Sequence, residues 1–351
     1  MKLRLTPAEA HAKGRQRATQ LAAQDYTVNL KNGYHWVRES YLGAEHMDLE
    51  QELLKFHRRR MADEMDLTKF PECRGVREIV EAERRGFREV LDLPLAEAFA
   101  YDWFYFCSRY LNVHAVGKAP PPAKCTDIWF ADTREGGPIH ASNRDDVLFN
   151  YRQDTIQPGK RGGGDMIVNE VACVGGVSAA VLCDEAPNCM FPLDLAWLDT
   201  RDLRTVFQYV DFLDRYQEFW GPGNRIYVDS EWNFAATEKA NVRMGVRYSK
   251  GWAAITACAY LTPEMNAFKR ERDLVSFQTR GWNPHDNSDK AYWDGAERRY
   301  RRLMQLTEAE AARGATVLGA ARVVLDHAVP FPDRVCLAGE QGHPDEKLQN
   351  W

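Results

Sequence analysis

The chain has 351 residues, 44% of them hydrophobic and 28% charged, with a formal net charge of -5. That length and balance suit a globular protein with one large core or two smaller ones. They exclude the strongly basic surface of a nucleic-acid binder and the composition of a disordered chain.

No apolar run approaches the roughly 20 residues needed to cross a bilayer. The nearest, Leu93 to Val113, is interrupted by Glu97, Asp102 and Arg109. Met1-Lys2-Leu3-Arg4-Leu5 lacks the apolar core of a secretory signal, so a cytoplasmic protein without membrane contact is expected. Eight cysteines in so long a chain do not make a disulfide scaffold, and no CxxC pair or zinc-like spacing occurs. Neither a metal nor a bound cofactor is expected. The runs His57-Arg58-Arg59-Arg60 and Arg298-Arg299-Tyr300-Arg301-Arg302 read as solvated helix faces.

In chain order, Thr6-Pro7-Ala8-Glu9 forms a capping box with Pro at the first helical position, which starts a helix to about Ala23. Apolar residues at helical spacing predict further helices over Leu49–Met61 and Val76–Leu91. An aromatic-rich helix over Leu95–Asn112 reads as a buried core element. The stretch Gly117-Lys118-Ala119-Pro120-Pro121-Pro122-Ala123-Lys124 is then an extended, solvated spacer, because residues before Pro are driven out of the helical region.

After the spacer the pattern changes to strands. Cys125–Ala131 and Pro138–Ser142 read as a pair around the turn at Arg134–Gly137. Arg161–Gly164 is a flexible loop without the Gly-Lys-Ser/Thr of a P-loop. Met166–Leu182 has the Val, Gly, Ser and Ala content of close-packed strands, and Asp202–Trp220 has helical spacing. Strands follow at Arg225–Val228, Asn233–Ala236, Val242–Tyr248 and Trp252–Leu261, then helices at Ala291–Ala312 and Ala315–His327.

Cys125 opens the first strand directly after the spacer, which makes it a candidate nucleophile. A thiol needs a base, because the thiolate is the reactive form. His140, His285 or His327 could supply one by folding close. Cleavage before Cys125 would supply another: the freed α-amine, with a pKa of about 8, beside its own thiol.

In this setting the chain resembles the isopenicillin N acyltransferase-like family of N-terminal-nucleophile (Ntn) hydrolases. The residues that carry the resemblance run in order. Ala10–Arg17 resembles the opening segment, Cys125-Thr126 the start of the mature subunit, and Ser142-Asn143-Arg144-Asp145 the family's Asn-Trp-Asp stretch. Asn233–Ala236 and Met244–Ser249 resemble its paired strands, and Met265-Asn266-Ala267-Phe268 falls at its Thr-Asn-His. Ala296–Leu303 resembles its Arg-bearing helix, and Leu325-Asp326-His327 with Val335-Cys336 its closing segment. The chain differs from the family at Lys124, where Gly is usual, at Met265 and Ala267, and at Leu337, where an Arg is usual.

The resemblance implies an α+β fold: a four-layer αββα Ntn sandwich over residues 125–351, preceded by a helical region over 1–116 and the processing linker 117–124. It implies a small-molecule acyl donor, for which an acyl-CoA is a fitting substrate, and an amine or water acceptor. The enzyme would be an acyltransferase or amidohydrolase working through an acyl-Cys125 intermediate. Self-cleavage between Lys124 and Cys125 would leave a heterodimer of the two fragments. By the resemblance, Asp145 orients the α-amine and Asn266 donates to the oxyanion. Thr126, Asn143 and Arg299 contact substrate. Two other readings stay open: an uncleaved cysteine amidohydrolase with a His base, and a non-catalytic scaffold that keeps the fold.

Overall fold

The computed structural model describes residues 5–42, 44–64, 75–111, 116–117, 126–143, 172–177, 202–216, 223–240, 243–256, 259–268, 287–330 and 335. These fall into two compact units, one built from residues 5–117 and one from residue 126 onward. Apart from Gly117, the expected linker lies outside the described residues.

The first unit is helical. Helix α1 (Pro7–Ala23) begins at the expected capping box, with the Thr6 hydroxyl accepting from Glu9 N and the Glu9 carboxylate accepting from Thr6 N. Helix α2 (Tyr26–Ser40) was not legible as a helix in the pattern above. Its buried residues Leu30, Gly33 and Val37 sit at helical spacing, but Gly33 interrupts the apolar stripe. Gly33 is there because a Cβ would lie 2.5 Å from the Trp103 ring. Asp25, in the left-handed region at φ 48°, makes the turn between α1 and α2.

A two-residue strand β1 (Tyr41–Leu42) follows, then α3 (Leu49–Glu64), α4 (Val76–Arg88) and α5 (Pro94–Tyr105). The helix of α5 continues as a π-helical turn, Phe106–Tyr110, and β2 (Val116–Gly117) pairs antiparallel with β1. The aromatic-rich helix is a core element, as expected. Phe106 is buried among Phe56, Trp103 and Tyr110, with ring centroids 5.4–6.0 Å apart.

Helices α1 and α4 meet backbone to backbone. Ala10, Gly14 and Ala18 form the buried stripe of α1. A Cβ on Gly14 would lie 1.9 Å from Glu83 O, and one on Gly86 would lie 2.1 Å from His11 O. The unit also buries charge, including part of the His57–Arg60 run that reads from the sequence as a solvated face. His57 and Arg60 are buried, not exposed like Arg58 and Arg59. Both face the wholly buried Asp102, with Arg60 Nε 2.8 Å from Oδ1 and His57 Nδ1 in contact with Oδ2. Buried Glu97 is held by the Arg88 fork at 2.7 and 3.1 Å. The Tyr101 ring lies between the guanidinium groups of Arg17 and Arg84, 4.1 and 3.7 Å from its centroid. A helical core this rich in charge must pair every ion, since an unpaired one costs several kcal/mol.

The second unit mixes sheet and helix. Strand β3 (Thr126–Phe130) is central in a three-stranded antiparallel sheet, between β4 (Ile139–Asn143) and β9 (Trp252–Thr256). The expected hairpin of β3 and β4 is present, with Thr126 opposite Asn143 and Phe130 opposite Ile139. A second antiparallel sheet runs β5 (Ala172–Val177), β6 (Gly223–Val228), β7 (Asn233–Lys239) and β8 (Met244–Lys250). The β6–β7 turn holds Trp232 in the left-handed region at φ 60°, uncommon for so bulky a side chain.

The faces of the second sheet can be told apart by register. Ile226, Val228, Phe234 and Ala236 lie on one face and share a core with Ile128, Phe130, Ala254 and Ile255 of the first sheet. Tyr227 and Tyr248 lie on the other face. That face is covered by α6 (Val206–Arg215), whose Tyr209 ring is 5.0 Å from Tyr227 and whose Phe207 ring is 4.9 Å from Tyr248. Against the first sheet, α7 (Asn287–Ala312) packs on β9 and α8 (Val317–Val324) on β3 and β4. Strand β9 ends at Thr256, short of the expected Leu261, and residues 263–268 form a short helix instead. Among the described residues no helix is long and apolar enough to cross a membrane.

Two expectations follow. Gly86→Ala should destabilise the first unit by about 1–3 kcal/mol in chemical denaturation, because its Cβ would displace backbone and not a movable side chain. Asp102 supplies the second. Burial pushes its carboxyl up, but the His57 contact and the Arg60 and Arg84 charges outweigh that and hold it below the ordinary range. The stability it confers is therefore full above the unfolded carboxylate pKa of about 4 and is lost as pH falls through the lower folded value. Asp102→Asn should cost about 3–5 kcal/mol at neutral pH and flatten that acid-side loss.

Candidate functional site

Thr126 directly follows the candidate nucleophile in the sequence. It is buried, it opens β3, and its register partners are Asn143 on β4 and Thr256 on β9. Its hydroxyl lies 3.4 Å from that of Thr256. The sheet thus brings Thr126 and Asn143 together at one strand end. Cys125 and Asp145 lie outside the described residues.

The same strand end is tied to the second sheet by Asn224, a residue the sequence pattern did not single out. Asn224 is wholly buried on β6, and its amide donates to Thr256 O at 2.7 Å and to Ala259 O at 2.9 Å. With both N–H groups spent on carbonyls, Oδ1 is an acceptor without a partner among the described residues. Opposite Asn224 on β7 is Glu238, also wholly buried. Its carboxylate accepts from Leu261 N, from Thr262 N and Oγ1 at 2.8–3.0 Å, and from Arg247 Nε at 3.0 Å. Arg247 in turn donates to Ala254 O at 3.1 Å and to the Tyr300 hydroxyl. Burial pushes the Tyr300 phenol well up, so it stays protonated. One signal for both residues was available: Asn224 and Glu238 stand in phase with the apolar residues Ile226, Val228, Phe234 and Ala236.

Asn266 is held away from solvent chemistry by its own hydrogen bonds. Its amide donates to Tyr260 O and to Glu297 Oε2, both at 2.8 Å. In this arrangement neither N–H points to a free acceptor position, and the residue joins the 263–268 helix to α7. Arg299 is buried on α7, two positions beyond Glu297, whereas Arg298 and Arg301 are exposed. The second Arg-rich run is therefore only partly solvated.

Of the three candidate bases, His285 lies outside the described residues, and His327 is exposed just beyond α8. There Asp326 binds the Arg302 fork at 2.6 and 2.8 Å. His140 is different. It sits on β4 opposite Trp129, with its ring stacked on the indole at 4.9 Å and 13°. Its Nε2 is 3.3 Å from Oδ1 of Asp127, a wholly buried residue on β3. Ser142 stands directly opposite Asp127, and its buried hydroxyl has no partner among the described residues. Asp127, Trp129, His140 and Ser142 share one face of the sheet, because they are alternate residues and cross-strand partners.

Among the described residues no group of three or more His, Cys, Asp and Glu could hold a metal ion. No family model, no curated protein and no solved structure matches this chain.

Proposed function

We propose that the second unit is a catalytic unit of Ntn type in which Cys125 is the nucleophile of an acyl-transfer reaction. The observation that carries this reading is the start of β3. The residue directly after Cys125 is buried and paired on both sides in the middle of a sheet, where the chain turns from helix to strand. The layering supports it too. Helix α6, the β5–β8 sheet, the β3 sheet and the pair α7 and α8 all belong to one unit, which is compatible with the αββα arrangement.

Cys125 Sγ attacks an amide or thioester carbonyl, the leaving amine or thiol departs with a proton, and acyl-Cys125 forms. Water or an amine then takes the acyl group. With a chain cut before Cys125, its α-amine is the base for the first step. Asp145 orients that amine, and Thr126, Asn143 and Arg299 line the path of the substrate. For Asn266 to donate to an oxyanion, it would first release Tyr260 O or Glu297. An acyl-CoA is a suitable donor, and the working form is the pair of fragments 1–124 and 125–351.

Activated esters test the reading. Cys125→Ala should lose acyl turnover to background, and mass spectrometry should find the acyl group on Cys125 of the unaltered protein. Intact mass should show the two fragments in the wild type and only full-length chain in the Ala variant. Full turnover by Cys125→Ala would exclude the proposal.

A further inference from the structure

We propose that β8 is a dimerisation edge: it pairs antiparallel, about a twofold axis at Tyr248, with β8 of a second copy of this chain. The inference is independent of the acyl-Cys125 reading.

The hydrogen-bond phase of the strand decides which groups face outward. Ala240 N donates to Arg243 O and Gly251 N to Trp232 O, so the odd-numbered positions of β8 are the ones hydrogen-bonded to β7. Met244, Val246, Tyr248 and Lys250 therefore turn their N–H and C=O away from β7. Strand β8 is the last of its sheet, and among the described residues no strand meets these groups. The usual protections of an edge are missing from its middle. The strand has no proline, its register with β7 is unbroken from Met244 to Lys250, and Tyr248 is exposed.

The side chains say what the edge fits. The four outward residues share the sheet face that α6 covers. There Phe207 and Tyr248 are 50% and 48% exposed, with their rings 4.9 Å apart. Asp211 lies one helical turn beyond Phe207 and is exposed; burial and then the Asp211 charge push the Tyr248 phenol up. Helix α6 starts at Asp229, which accepts from Val206 N, and residues 217–222 alone lead from Tyr216 to Gly223 at the head of β6. The helix thus runs opposite to β6 and β8, which sets Asp211 toward Val246. Along the edge the exposed surface is acidic at Asp211, aromatic at Phe207 and Tyr248, and basic at Lys250. A surface that runs from acid to base through an apolar centre is complementary to its own antiparallel copy.

An axis at Tyr248 uses all three parts. Each Tyr248 N–H donates to the C=O of the other copy's Tyr248, and Val246 and Lys250 exchange the same bonds on either side. The Lys250 ammonium, which gives one N–H to Asn233 Oδ1 at 3.1 Å, meets Asp211 of the second copy. The Phe207 and Tyr248 rings of both copies close over the axis and leave water. An axis one residue away, at Arg247, would set two arginines directly opposite each other, which their like charge opposes. A strand of unrelated sequence could satisfy the backbone but not the order of charges.

Sedimentation velocity of the full-length protein tests the pairing. The wild type should form a concentration-dependent species of twice the 40.3 kDa chain mass. Tyr248→Lys, which sets two cations on the axis, should shift it to the monomer. Val246→Pro should do the same, because that N–H serves only the open edge. Both variants should keep the circular-dichroism spectrum of the wild type. Asp211→Lys should weaken association about 10-fold, and adding Lys250→Asp to it should restore the dimer. Under a mild oxidant, Tyr248→Cys should link two chains by a disulfide, since opposed Cα atoms in such a pair stand about 5.5 Å apart. Glu308→Cys, exposed on α7, should not. A wild type that stays monomeric at every concentration would overturn the proposal and leave the edge to some other strand. A dimer that survives both Tyr248→Lys and Val246→Pro would overturn it as well.

Discussion

The second unit depends on one buried carboxylate. Glu238 sits on the inner face of its sheet, where a lone charge would cost many kcal/mol, and it is tolerated because four donor groups converge on it. Those donors come from three places: strand β8 through Arg247, Leu261, and Thr262. Arg247 carries the link on to Ala254 in the middle of β9 and to Tyr300 on α7. A single ion thereby fixes the second sheet, the segment after β9 and a long helix in one geometry. Asn224 repeats the device at the adjacent position, joining β6 to Thr256 O and Ala259 O. Apolar contacts alone would hold these layers together but would let them slide; directional hydrogen bonds in a low-dielectric interior set the register. The strand end beside Thr256 is where Thr126 and Asn143 also meet.

The helical unit reaches the same end by a different balance. Its seam between α1 and α4 is so close that side chains are excluded from it, and Gly14 and Gly86 bring carbonyls where Cβ atoms would otherwise be. Small residues bury little apolar area, so the unit leans on aromatic packing around Phe106 and on paired ions around Asp102 and Glu97.

Much of this was legible from spacing. The capping box at Thr6, the strand pair after the spacer and the helices near both ends follow from period and punctuation, because local chemistry decides them. Helix α2 was hidden because Gly33, demanded by the Trp103 ring, weakens the pattern from within. The Arg runs were misread in part because a sequence does not say which Arg will meet a buried partner such as Asp102. The site is less legible still. Thr126 and Asn143 follow from a hairpin register, whereas Asn224, Glu238 and Asp127 matter through partners that are distant along the chain.

The left-handed Trp232 marks how the β6–β7 connection is aimed. Asp229 accepts from Glu231 N, Asn233 N and the Asn233 amide, and also from Val206 N at the first residue of α6. The hairpin and the helix beneath it therefore share one anchor. The backbone energy held at Trp232 is sustained because relaxing the turn would also release the start of α6. Covering helix and sheet must then form as one cooperative piece, with neither able to open far while the other stays closed.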